Sequence, residues 1–60
     1  MKLSPAELRN QRPRHFPALP DFCESWSVAN PNGIAIHFPS KQEALDTAEL
    51  WAYQVEVARL

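Results

Sequence analysis

The stretch Ser25-Trp26-Ser27-Val28-Ala29-Asn30-Pro31-Asn32-Gly33-Ile34-Ala35-Ile36-His37-Phe38 decides how this chain folds. Trp26 and Val28 alternate with small residues before the midpoint. After it, Ile34, Ile36 and Phe38 alternate with Ala35 and His37, the period of two that marks half-buried strands. Between them Asn30-Pro31-Asn32-Gly33 spells a turn. Proline suits the second position of a type I turn, asparagine the third, and glycine the left-handed position that closes a G1 bulge. If Asn30 pairs with Ile34, then Ala29 opposes Ala35, Val28 opposes Ile36, Ser27 opposes His37 and Trp26 opposes Phe38, and the large apolar residues share one face. A slip of one residue destroys that agreement. Residues 23–38 are therefore expected to form a β-hairpin.

Toward the C-terminus, Pro39 stops the second strand and Ser40-Lys41-Gln42-Glu43 has the spacing of a capping box. No glycine or proline follows, so a helix is expected over residues 40–60. At about 100° per residue, Ala44, Leu45, Ala48, Trp51, Ala52, Val55 and Ala58 form a stripe that can face the hairpin, its alanines allowing close approach. Leu50, Tyr53, Val57 and Leu60 form a second stripe nearly opposite, with Glu43, Asp46, Glu49 and Glu56 beside it.

Toward the N-terminus, prolines at 13, 17 and 20 remove backbone donors and bias their neighbours toward extended conformations. Residues 13–22 are expected to be a semi-rigid strap that lays Phe16, Leu19 and Phe22 across the core. Ser4-Pro5-Ala6-Glu7 is a helix start with N-cap, first-position proline and capping box, and Leu3 and Leu8 stand where a hydrophobic staple would. A short helix is expected over residues 1–12. The whole is an α+β fold in one domain of residues 1–60: short helix, strap, antiparallel hairpin and one long C-terminal helix.

A domain of this length buries only about 60% of the surface its unfolded chain exposes, which leaves room for one thin core and little for a pocket of buried catalytic groups. Cys23 could be paired in thought with His15 or His37 as nucleophile and base, but no third orienting group is indicated. One cysteine and two scattered histidines fall short of the four ligands zinc wants. Gly33, the only glycine, is committed to the turn, which leaves no phosphate cradle. No catalytic, cofactor-binding or metal-binding residue is expected. Cys23 cannot form an internal disulfide and no apolar run approaches a membrane span or signal-peptide core, so a cytoplasmic location is expected.

The net charge of -1 conceals an asymmetry. Lys2, Arg9, Arg12 and Arg14 stand against Glu7 in residues 1–15, whereas six acids stand against Lys41 and Arg59 in the remainder. A helix apolar on both sides is usually covered on both sides, by its own chain, a second copy or a foreign partner. The expected protein-binding residues are Glu43, Asp46, Glu49, Leu50, Tyr53, Glu56 and Val57. The alternative is a nucleic-acid-binding accessory protein using Arg9, Arg12 and Arg14.

The succession Trp26-x-Val28, Asn32-Gly33, then Phe38-x-Ser40-Lys41-x-Glu43-Ala44 with Ala48 resembles small bacterial ββα domains in which a hairpin feeds a capped helix. That resemblance implies a fold and no activity. In size, single-domain construction and mixed charge, the chain also resembles the small inhibitors that phages and mobile elements encode, anti-CRISPR proteins among them. This second resemblance implies a non-catalytic inhibitor of a host nucleic-acid-handling complex such as a CRISPR effector.

Overall fold

Residues 30–34 form the turn that their chemistry demands. In the computed structural model, which describes residues 2–21 and 23–60, Gly33 takes φ 86°, a value that only glycine adopts freely. Its N–H donates to the Asn30 carbonyl at 2.8 Å, and the Asn30 N–H donates to the Ile34 carbonyl at 2.8 Å. The Asn30 side-chain oxygen accepts from the N–H groups of Asn32 and Ile34, both at 2.9 Å. Four bonds thus converge on one asparagine and fix the register expected from the apolar pattern: Trp26 with Phe38, Ser27 with His37, Val28 with Ile36 and Ala29 with Ala35.

The elements in chain order are α1 (Pro5–Arg9), β1 (Arg14–Phe16), β2 (Ser25–Ala29), β3 (Ala35–Phe38) and α2 (Lys41–Ala58). The three strands make one antiparallel sheet in the order β1-β2-β3, and the fold is α+β.

The proline-rich strap is the main correction. Arg14, His15 and Phe16 do not cross the core but pair with Ser27, Trp26 and Ser25 as an edge strand. Pro13 and Pro17 bracket it, a position where missing donors cost the central ladder nothing. Gln11 extends the pairing with its side chain: its amide nitrogen donates to the Ala29 carbonyl at 2.7 Å, and its amide oxygen accepts from the Ala29 N–H at 2.6 Å. A side-chain amide thereby does what a backbone amide would do one step further along β1. Phe16 lies on the sheet face turned away from α2, Leu19 is exposed, and Phe22 lies outside the described residues.

Helix α1 is shorter than the residues 1–12 expected of it and ends at its C-cap Asn10. Ser4 and Glu7 form both halves of the capping box, with Glu7 N–H to Ser4 Oγ at 3.2 Å and Ser4 N–H to Glu7 Oε1 at 3.3 Å. The helix survives at this length because it packs on α2, burying Leu8 completely. The Leu3 N–H donates to the Pro31 carbonyl at 2.9 Å, which ties the N-terminal segment to the hairpin turn.

Helix α2 starts on Ser40, whose Oγ accepts from the Glu43 N–H at 3.2 Å; of this second box only the serine half is formed. Ala44, Ala48 and Ala52 are buried, and Leu45, Trp51 and Val55 are half-buried beside them. Ala58, expected in the same stripe, is exposed in the last turn, beyond the sheet. The core consists of Val28 with Ala44 and Ala48, against which Trp26, Phe38 and Trp51 pack.

Candidate functional site

Helix α2 carries more apolar surface than its own chain covers. Leu50, Tyr53 and Val57 recur at spacings of three and four and so share one face, nearly opposite the buried alanines. They are 53%, 61% and 47% exposed, and Leu60 beyond them is fully exposed. At about 100° per residue, Asp46 falls within the arc they span, Glu43 borders it on one side and Glu49 on the other. Glu43, Asp46 and Glu49 are all exposed, and Asp46 accepts a hydrogen bond from the Gln42 amide at 2.8 Å one turn earlier.

Glu56 differs from the other three. It lies further round the helix, toward α1, and its carboxylate is taken in a two-pronged pair by Arg9, at 2.5 and 2.7 Å. The hydrogen bond from Arg9 holds the Glu56 carboxyl below the usual carboxylate range, and the same bond raises Arg9, with a further attraction from Glu49. One residue of the expected acidic surface and one of the expected basic arm therefore neutralise each other.

The remaining cations of that arm are dispersed. Arg12 is exposed in the connector after α1, and Arg14 sits on β1 with its guanidinium 5.5 Å from the centre of the Phe16 ring. Arg9, Arg12 and Arg14 therefore sit on α1, on the connector and on β1, with Arg9 already paired. Sequence reasoning did not single out what Arg14 joins instead: Phe16, whose ring meets His37 edge-on at 5.2 Å, and Ser25, whose hydroxyl lies 3.4 Å from His37 Nδ1. The alternation Arg14-x-Phe16 between two prolines was the available signal, and it becomes legible only once β1 is recognised as a strand.

The other chemistry-bearing side chains are spread apart. His15 lies on the α2-facing side of the sheet, stacked on Trp26 at 4.4 Å and bonded to Glu24 at 3.1 Å, while the Lys41 ammonium stands 5.6 Å from the Trp26 ring. His37 is on the opposite face. Cys23 is exposed, and among the described residues no hydrogen bond joins it to either histidine. Among those residues, too, no three of His, Cys, Asp and Glu gather closely enough to hold a metal ion. A shallow cleft of about 290 Å³ lies where the N-terminal segment, the hairpin turn and the end of α2 meet. Leu3, Pro31, Val55 and Ala58 line it together with the charged Lys2 and Arg59. No helix among the described residues is long and apolar enough to cross a membrane.

No protein-family model, no curated protein and no solved structure matches this chain.

Proposed function

We propose that this chain is a non-catalytic protein-binding module that docks the outer face of α2 on a basic partner surface. The observation that carries this is the uncovered stripe Leu50, Tyr53 and Val57, set among exposed Glu43, Asp46 and Glu49. Contiguous apolar surface rimmed by charge is what interaction sites present. Tyr53 stands at the middle of the stripe as the aromatic anchor, and the carboxylates steer the encounter. A second copy of the chain is a poorer occupant, because a two-fold contact lays each patch against itself and brings the acidic borders together. The partner class this fits is a complex whose surface is basic because it handles nucleic acid, a CRISPR effector being the first candidate. The resemblance of the chain to small phage-encoded inhibitors points the same way.

The test is binding to a purified CRISPR effector complex at several salt concentrations. The double variant Asp46→Lys/Glu49→Lys should associate more slowly than the wild type and lose most of the salt dependence of its on-rate, with its circular dichroism unchanged. Equal association rates for the two proteins would remove the acidic face from the interface.

A further inference from the structure

The face of the sheet turned away from α2 has the opposite character. All three strands contribute to it in register: Arg14 opposes Ser27, which opposes His37, and Phe16 opposes Ser25. The small serines of the central strand let the flanking side chains meet above them, so that the guanidinium, the phenyl ring and the imidazole form one row with Ser27 buried beneath. Among the described residues no carboxylate occupies a strand position on this face. Glu7 is on α1, Asp21 is in the loop between β1 and β2, Glu24 is drawn to His15 on the other side of the sheet, and the remaining four acids are on α2.

We propose that this row is a binding platform for single-stranded nucleic acid, with Arg14 holding a phosphate and a base stacking on the ring of Phe16 or of His37. Aromatic surface beside a cation is the combination that single strands use, because every base offers a flat ring and every linkage a negative charge. A duplex keeps its bases stacked inside and has no free ring to offer. Three strands at about 4.8 Å spacing give a surface roughly one strand wide. An acidic peptide would satisfy Arg14 but would leave the aromatic pair unused. The site is separate from the outer face of α2, so it stands or falls independently of the protein-binding proposal. It also differs from the basic arm that the sequence suggested, because Arg9 is occupied by Glu56.

Fluorescence anisotropy with labelled oligo-dT and oligo-U of about 12 nucleotides, against a duplex of the same length, tests this at low and moderate salt. The platform predicts binding of the single strands, weaker for the duplex. Arg14→Ala should weaken it about tenfold and make the dependence of log affinity on log salt shallower by about 0.7. Phe16→Leu, which keeps apolar bulk but removes the ring, should weaken it at least fivefold, and Phe16→Tyr should restore it. His37→Ala serves the same purpose if Phe16→Leu does not fold. Arg9→Ala and Tyr53→Ala should bind as the wild type does. Absence of binding at low salt, equal binding of the duplex, full affinity in both Arg14→Ala and Phe16→Leu, or a loss as large in Arg9→Ala would overturn the proposal.

Discussion

The two sides of α2 use their apolar residues differently. The side against the sheet and α1 buries Ala44, Ala48 and Ala52, whereas the side facing solvent displays Leu50, Tyr53 and Val57. Alanine inside brings backbones close and allows a thin core to close over a short sheet. Leucine, tyrosine and valine outside contribute nothing to that core. The difference teaches that the residues that build the core and those that the proposal assigns to recognition are separate residues of one helix, so each set can be disturbed without the other.

The most damaging way to break the inner side is Leu8→Ala. Among the described residues Leu8 is the one large side chain found fully buried, and its loss should cost about 2 to 5 kcal/mol. Since a core of this size rarely supplies more than about 3 to 5 kcal/mol, thermal unfolding should begin below room temperature or show no cooperative transition. Ala48→Leu attacks the same side by overfilling it and should destabilise by about 1 to 3 kcal/mol, measured as a lower denaturant midpoint. Gln11→Ala leaves the Ala29 N–H and carbonyl without their partners, for a loss of about 1 kcal/mol. Faster amide exchange confined to β1 and β2 would show it.

The smallest stability effects belong to the outer side. Leu50→Ala and Val57→Ala should stay within about 0.5 kcal/mol of the wild type, as exposed substitutions do. The Arg9–Glu56 pair adds a small pH dependence. Because the folded-state Glu56 carboxyl is held below its ordinary value, the stability it contributes is present at neutral pH. That contribution is lost as the pH falls through the lowered value. Glu56→Gln should therefore melt below the wild type at neutral pH and together with it in acid.

Much of this molecule is legible in its sequence wherever short-range chemistry decides. Asn30 and Gly33 announce the turn and its register, Ser4 and Ser40 announce the helix starts, and the small-residue spacing of Ala44, Ala48 and Ala52 announces the packed side of α2. β1 is not legible that way. Its neighbours Pro13 and Pro17 argue against a strand, and what holds it is pairing with β2, extended by Gln11 reaching Ala29, between residues far apart in the chain. The second candidate surface was hidden for the same reason, since Phe16 and His37 meet only when β1 joins the sheet. Leu50, Tyr53 and Val57 were visible as a stripe, but whether the N-terminal segment covers them depends on where α1 packs.

The central claim is that the outer side of α2 exists for a partner and not for the fold. Its most direct test is the dissociation rate of Tyr53→Ala from a CRISPR effector complex, read beside its thermal midpoint. The account predicts binding by the wild type, dissociation at least tenfold faster for the variant, and a midpoint that does not move. No binding by the wild type would contradict the partner class. An unchanged dissociation rate in a folded variant, or a collapse of its thermal midpoint, would contradict the division between the two sides.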